Sequence, residues 1–100
     1  MFNFFKNLFK DKDYKALMVK GAKIIDVRSA AEYKNSHING SQNTPLHKIG
    51  DQSKKIASFN LPIILCCASG MLYGRASSML KLGGVEAYNA IGWLSLRSKI

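Results

Sequence analysis

Cysteine is scarce in this chain, and its two copies are adjacent. Among 100 residues only Cys66 and Cys67 carry a thiol, and neighbouring cysteines close no loop that would brace a fold. A disulfide framework is therefore excluded, and we expect the protein in a reducing compartment, the cytoplasm. Histidine is equally rare, since the chain contains only His37 and His47. No Cys/His set has the spacing of metal ligands, and we predict no metal site.

Long apolar runs are also lacking. In the first ten residues, Phe and Leu are interrupted by Asn and Lys. This stretch is too broken for the core of a signal peptide and too short to span a bilayer. The helical spacing of its apolar residues predicts that residues 1–11 form an amphipathic segment. Such a helix packs on its own domain or on a partner, or contacts a membrane surface through residues 1–10.

Acidic residues are few as well. Six Asp and Glu stand against 15 Lys and Arg, which gives a formal net charge of +9. A charge of this size favours small anions, nucleic acid or an anionic membrane as partners, or serves only solubility. Of these partners we predict a small anion and no nucleic acid. Contact with a membrane surface, through residues 1–10, is kept as an alternative.

The remaining residues, 12–100, predict one α/β domain without internal repeats or long linkers. Apolar segments typical of strands alternate with segments of helical spacing. Strands are expected at 23–27, 41–43, 62–66 and 85–89, and helices at 13–20, 29–36, 46–59, 72–81 and 92–99. This order favours a parallel sheet with helices on both faces and right-handed crossovers.

Local signals predict where several helices begin. Asp13 is expected to cap the first helix, and Ser29 with Glu32 has the spacing of a capping box. Thr44-Pro45 combines a capping residue with a proline suited to the first helical position. Gly50 is expected to break or shorten the helix that follows. Arg28 and Glu32 are four residues apart, and we expect them to pair.

The segment from Pro62 to Leu80 carries the strongest sign of chemistry. An apolar strand ends at two cysteines, and a few small residues separate them from a helix. Cys67 should lie beside the unpaired N–H groups of that helix, which would lower the pKa of its thiol and make the sulfur nucleophilic. The alternative is a buried cysteine that only packs. Strand alternation assigns Cys66 to the sheet and predicts that it is inert.

The position of Arg75 bears on whether the chain is a cysteine phosphatase. Such enzymes clamp a phosphate with an arginine six positions after the nucleophile. That position is occupied by Tyr73, and Arg75 comes eight positions after Cys67. A phosphatase or an arsenate reductase is therefore not expected. The chain also lacks a glycine loop of the nucleotide-binding type.

The stretch Cys67 to Leu72 resembles the active-site loop of single-domain rhodaneses. The resemblance extends to residues 25–28 with 32–33, to 37–46 and to 83–93, and it covers roughly residues 12–98. It implies a rhodanese-like three-layer α/β/α sandwich with a central parallel sheet of four to five strands. The chain departs from the family pattern at Leu72, where the loop usually has a second arginine, and at Gly92, where a glycine pair is usual.

The resemblance implies a sulfurtransferase that needs no metal or organic cofactor. In the family's mechanism the catalytic Cys67 thiolate takes a sulfane sulfur from a small anionic donor and holds it as a persulfide. A thiol, cyanide or an acceptor protein then removes the sulfur. The expected substrate-binding residues are Ala68, Ser69, Gly70, Met71, Leu72 and Tyr73, and the expected structural supports are Asp26, Arg28 and Arg75.

Two alternatives follow from this resemblance. The first alternative function is that of a non-catalytic or sulfur-carrier module, which docks to a partner through its basic surface. Among donors, Leu72 offers apolar contact where an arginine would hold a sulfonate. We therefore expect weak use of thiosulfate and better use of polysulfide or a persulfide. We predict that the protein is a monomer.

Overall fold

The described residues fold around a parallel β-sheet. The computed structural model describes residues 13–68, 74–90 and 92–100. Within them the sheet has four strands in the order β2-β1-β3-β4. Their bounds are Lys23–Asp26 (β1), Gln42–Asn43 (β2), Ile63–Cys66 (β3) and Ala87–Asn89 (β4). In the register of the sheet, Asp26 lies beside both Asn43 and Cys66, so three strands end side by side.

Helices connect these strands. Their bounds are Tyr14–Val19 (α1), Ala30–Asn35 (α2), Ile49–Ser58 (α3), Gly74–Leu82 (α4) and Trp93–Ser98 (α5), with a 3₁₀ turn at Leu46–Lys48. Each connection between parallel strands contains at least one helix or turn, as such connections require. The alternation of strands and helices predicted from the sequence is therefore confirmed.

The sheet is covered on both faces, because successive side chains of a strand point to opposite sides. On one face, Ile25, Ile63 and Leu65 pack with buried residues of α3 and α4. On the other face, Ile24, Ile64 and Cys66 pack with residues of α1 and α5. All four residues of β3 are at most 1% exposed, and burial of each large apolar side chain contributes about 1.5–3 kcal/mol. The predicted three-layer α/β/α sandwich is confirmed.

The first two helices begin where the capping signals predict. The Asp13 carboxylate accepts a hydrogen bond from the N–H of Ala16 at 3.0 Å. Ser29 and Glu32 form a complete capping box, in which the Ser29 hydroxyl accepts from the Glu32 N–H at 3.2 Å. These bonds satisfy N–H groups that a helix cannot satisfy internally.

Two expectations about the next helix are wrong. Pro45 precedes the 3₁₀ turn instead of opening an α-helix, and Thr44 caps no helix, because it is buried and its hydroxyl accepts a bond from the Gln42 side chain. Gly50 does not break α3, which continues from Ile49 to Ser58. Ile49 and Ile56 are both buried, and their burial outweighs the cost of about 1 kcal/mol for one helical glycine.

Two further predictions need correction. Arg28 pairs with Asp26, while the Glu32 carboxylate bonds to Ser29. The last strand is shorter than residues 85–89, since it covers Ala87–Asn89. The N–H of Val85 is taken by the carbonyl of Leu80 at the end of α4, which leaves Val85 in the turn before the strand.

The predicted amphipathic segment, residues 1–11, lies outside the described residues. Along the described ranges, no helix has the length and apolar character needed to cross a membrane.

Candidate functional site

Cys67 directly follows β3 at the carboxyl edge of the sheet. The N–H of Val27 donates to the carbonyl of Cys66 at 2.9 Å, so the chain after β1 stays paired with the end of β3. The side chain of Cys67 packs in the core beneath α3 and α4, and that of Cys66 packs in the opposite core. Both cysteines are buried, with Cys67 at 0% exposure. The two adjacent thiols are thus separated by the sheet.

The start of α5 holds the backbone at Cys67. The N–H of Trp93 donates to the Cys67 carbonyl at 2.8 Å. A Cβ atom on Gly92 would lie 3.1 Å from the Ala68 carbonyl oxygen and 3.7 Å from that of Cys67. Since a contact of 3.1 Å forces its neighbour to move, glycine allows α5 to approach the site this closely. The sequence points to Gly92 only through the resemblance, and this contact was not predicted.

Asp26 and Arg28 form a buried ion pair at the same edge. Nε and Nη2 of Arg28 donate to the Asp26 carboxylate at 3.0 and 2.8 Å, and the Arg28 N–H donates to it at 2.9 Å. Nη2 also donates to the Ser36 carbonyl at 2.6 Å. The hydrogen bonding of the Arg28 guanidinium to the Asp26 carboxylate, which accepts, raises the pKa of Arg28, and burial opposes this rise. The pair joins the end of β1 to the end of α2.

Trp93 connects this ion pair to Cys67. The guanidinium of Arg28 lies over the Trp93 ring, 4.5 Å from its centroid, and that of Arg97 lies 5.2 Å from the same centroid. An arginine at this distance attracts the face of an aromatic ring. Because the backbone N–H of Trp93 also donates to the Cys67 carbonyl, Trp93 contacts both the ion pair and the cysteine.

Asn43 is a supporting residue that the sequence analysis missed. Its side-chain N–H₂ donates to the carbonyls of Asp26 and Arg28, both at 3.0 Å. Asn43 thereby fixes the chain that leaves β1. The sequence signals for this role are its position at a strand end on the carboxyl edge and its place within residues 37–46 of the family resemblance.

The Cys66 thiol is neutral at physiological pH. Burial raises its pKa from 9.0 to about 12, and the nearby charge of Asp26 adds to the rise. Thiolates are the nucleophilic form of cysteine. This environment therefore disfavours chemistry at Cys66.

The predicted site residues fall into three groups. Asp26, Arg28, Cys67 and Ala68 come together at the carboxyl edge. The predicted substrate-binding residues Ser69, Gly70, Met71, Leu72 and Tyr73 lie outside the described residues. Arg75 is exposed in the first turn of α4, where it lines a cavity with Met79. No described residue forms an ion pair with Arg75, and its supporting role stays a prediction.

The described residues also bear on metal binding. Within them, no three His, Cys, Asp or Glu side chains group closely enough to hold a metal ion. At the carboxyl edge, the Asp26 carboxylate accepts from Arg28, and the Asn43 side chain donates to the Asp26 carbonyl.

Comparison with known proteins identifies the family. A family model described as "Rhodanese-like domain" matches residues 5–94. The chain belongs to the rhodanese-like domain family, and the resemblance seen in the sequence is confirmed.

A curated protein is similar to most of this chain. The uncharacterized protein YqhL of Bacillus subtilis (strain 168) is 35% identical over 72 residues, which are 71% of this chain and 56% of YqhL. The chain thus spans little more than half the length of that curated relative.

Solved structures share the rhodanese-like fold. The BH2092 protein from Bacillus halodurans superposes with a TM-score of 0.71 at 26% identity, over 97% of this chain and 77% of that one. Reduced Bacillus anthracis CoADR-RHD gives a TM-score of 0.70 at 29% identity, over 87% of this chain and 15% of that one. A rhodanese-like domain protein from Staphylococcus aureus has a TM-score of 0.63 at 22% identity, over 92% of this chain and 80% of that one.

Proposed function

We propose that this protein is a sulfurtransferase that carries a sulfane sulfur as a persulfide on Cys67. The observation that carries the proposal is the position of Cys67 directly after β3, where parallel sheets collect their reactive groups. Its backbone is held by the N–H of Trp93 and by close contact with Gly92. Such support keeps a reacting sulfur in place. Membership of the rhodanese-like family supports the same chemistry.

The first half-reaction loads the sulfur. The Cys67 thiolate attacks the outer, sulfane sulfur of the donor and forms a new S–S bond. The old bond breaks, and its electron pair leaves with sulfite when thiosulfate is the donor, or with the shortened chain when polysulfide is. The persulfide anion is the expected ligand of the backbone N–H groups of residues 68–72, since clustered N–H groups stabilise negative charge.

The second half-reaction returns the cysteine. A thiol, cyanide or a cysteine of an acceptor protein attacks the outer sulfur of the persulfide. The S–S bond breaks, and its electron pair returns to Cys67 as a thiolate. No external oxidant or reductant is consumed, so the cycle suits a reducing compartment such as the cytoplasm.

A second candidate function is a sulfur-carrier or docking module without turnover. The observation that favours it is the burial of Cys67, whose exposure is 0%. A sulfur that solvent does not reach reacts slowly with a donor. A docking module would use its net charge of +9 to bind an acidic partner.

Intact mass spectrometry tests the proposal. We expect wild type to gain the mass of one sulfur atom after incubation with polysulfide, and less completely with thiosulfate. Cys66→Ser should gain it as well, and Cys67→Ser should not. A gain that survives Cys67→Ser but disappears in Cys66→Ser would assign the persulfide to the other cysteine. If wild type gains no sulfur from either donor, the docking module is the better description.

A further inference from the structure

A cavity lies at the open edge of the sheet, where β2 and α3 meet. It has a volume of about 420 Å³, and sites for small molecules usually measure about 300–1,000 Å³. Its polar lining residues are Gln42, Asn43, Thr44, Lys48, Gln52 and Lys55. Neither cysteine lines this cavity, so a ligand bound in it has no need to touch Cys67.

Two lysines line the cavity from the side of α3. Lys48 directly precedes the helix and Lys55 follows it by seven residues, which places the two backbone positions about 10.5 Å apart along the helix axis. Both side chains are exposed. Within the described ranges the one ion pair joins Asp26 to Arg28, so neither lysine has an acidic partner there. Asp51, the acid of α3, does not line the cavity. Both ammonium groups are therefore available to an anion.

The strand β2 adds hydrogen-bond donors. Thr44 is 4% exposed, and its hydroxyl accepts from the Gln42 side chain at 3.3 Å. No acceptor for the proton of this hydroxyl is present among the described residues. The N–H of Thr44 donates to the Asp26 carbonyl at 2.9 Å, so the N–H of Asn43, one residue earlier, faces away from β1 toward the open edge. The cavity is thus rich in donors.

The composition of the lining excludes several classes of ligand. No carboxylate lines the cavity, so a metal cation would find no charged ligand in it. No aromatic ring lines it either, so a nucleobase has nothing to stack on. The apolar lining is limited to Ala30 and Pro45, and an apolar ligand would bury little surface there. Lysines with hydroxyl and amide donors suit phosphate oxygens, which only accept.

We propose that this cavity binds a compact ligand that carries two or more phosphate groups. Lys48 and Lys55 each contact one phosphate, and Thr44 and Gln52 donate to oxygens between them. Because the lysines start about 10.5 Å apart, two phosphates on a short linker reach both with less bending of the side chains than one phosphate does. An oligophosphate and an organic bisphosphate share this chemistry. The site is additional to the proposed sulfur transfer and does not depend on it.

Calorimetric titration of the full chain compares four probes: inorganic tripolyphosphate, fructose 1,6-bisphosphate, orthophosphate and a hexaglutamate peptide. We expect one of the first two to bind at least about tenfold more tightly than orthophosphate, since it makes a second charge-assisted contact. Which of the two binds more tightly distinguishes an oligophosphate from an organic bisphosphate. Equal binding of orthophosphate would overturn the inference. Tightest binding of hexaglutamate would overturn it as well, and would assign the cavity to an acidic protein segment.

Variants of the lysines locate the bound phosphates. Lys48→Gln and Lys55→Gln should each weaken binding of the tighter phosphate probe about tenfold. Lys54→Gln is the matched control, because Lys54 is an exposed cation of α3 that does not line the cavity. It removes the same charge and should change the Kd by less than about twofold at about 0.15 M salt. Equal effects of the three variants would assign the binding to net charge alone and overturn the inference.

The buried hydroxyl gives a second test. Thr44→Val should weaken binding about twofold to tenfold, as for the loss of one neutral hydrogen bond, and thermal unfolding shows whether this variant is folded. An NMR titration of wild type gives the same information without a variant. The amide shifts should be largest at Asn43 and Gln52, and shifts centred on another part of the chain would contradict the proposed site.

Discussion

Arg28 shows how much of the carboxyl edge depends on one side chain. It compensates the charge of Asp26, which is 0% exposed, and it also reaches Ser36 and the ring of Trp93. A buried carboxylate without its partner is costly, because no water replaces the lost hydrogen bonds.

We therefore predict that Arg28→Gln lowers the free energy of unfolding by about 3–5 kcal/mol. Urea denaturation followed by circular dichroism measures the change. Arg97→Gln is the control, since Arg97 is exposed and contacts the same Trp93 ring from 5.2 Å; it should cost at most about 1 kcal/mol. Similar losses for both variants would mean that the ion pair with Asp26 contributes little.

Cys66 makes stability depend on pH in the alkaline range. Its pKa is raised from 9.0 to about 12 in the folded protein, mainly by burial. Below pH 9 the thiol is protonated in both folded and unfolded chains, and its contribution to stability is complete. Between pH 9 and 12 the unfolded chain releases the proton and the folded chain keeps it, so stability falls as the pH rises.

In a Cys67→Ser background, we predict that the urea midpoint falls more steeply between pH 8.5 and about 10.5 with Cys66 than with Cys66→Val. Val is the comparison because it keeps an apolar side chain at this position without a titrating group. Parallel pH profiles for the two proteins would show that Cys66 does not hold its proton in the folded state.

Among the elements, α5 has the most direct effect on the site, although it contains only six residues. Leu96 anchors it in the core shared with α1, and its first N–H binds the Cys67 carbonyl. Gly92, immediately before the helix, lies against Ala68. A small displacement of α5 is therefore a displacement of the cysteine.

For this element we predict that Gly92→Ala destabilises the protein by about 1–3 kcal/mol, because the new Cβ crowds the Ala68 carbonyl. Persulfide loading at Cys67 should also slow, and a timed mass-spectrometric series records it. Gly50→Ala provides the contrast, since nothing lies within 4 Å of a Cβ at that helical position. It should stabilise the protein by about 0.5–1 kcal/mol. If Gly92→Ala left the stability unchanged, the Ala68 backbone would have moved to make room for the new Cβ without loss of stability.

The helix α2 contrasts with α5, because none of its residues is buried. It is held by polar contacts at its ends: the capping box at Ser29, and the bonds from Arg28 to the Ser36 carbonyl and from the Tyr33 hydroxyl to the Ser41 carbonyl. Its stability is thus tied to the Asp26–Arg28 pair and not to the hydrophobic core.

At the scale of the whole molecule, both described cores are built from residues between Tyr14 and Ile100. The full chain has a formal net charge of +9. Such a charge attracts anionic partners from a distance and is screened by salt.

We predict that deletion of residues 1–10 leaves the fold and persulfide loading nearly unchanged, because every motif of the site lies downstream. Circular dichroism and intact mass after polysulfide treatment measure the two properties. A truncated chain that fails to fold would make this segment part of the core. Co-sedimentation of the full-length and truncated chains with anionic vesicles tests the membrane contact predicted for residues 1–10. If this contact exists, the full-length chain should bind the vesicles and the truncated chain should not.

Features with a local cause were predictable from the sequence. Asp13 and Ser29 cap helices through bonds to residues three positions away, and such bonds depend on little beyond the spacing. Alternation along β3 separates the side chains of Cys66 and Cys67 for an equally local reason. The order of strands and helices then leads to the parallel sheet and to the edge at which Cys67 lies.

Only the tertiary structure decided which distant residues act together. Arg28 has acids two and four positions away, and it pairs with Asp26 because that carboxylate is buried at the sheet edge while Glu32 is exposed. Charges attract more strongly where water is excluded. The contact of Gly92 with Ala68 and the cavity between Leu46 and Arg75 join residues more than 20 positions apart. No spacing in the sequence encodes them, because they arise from the packing of helices on the two faces of the sheet.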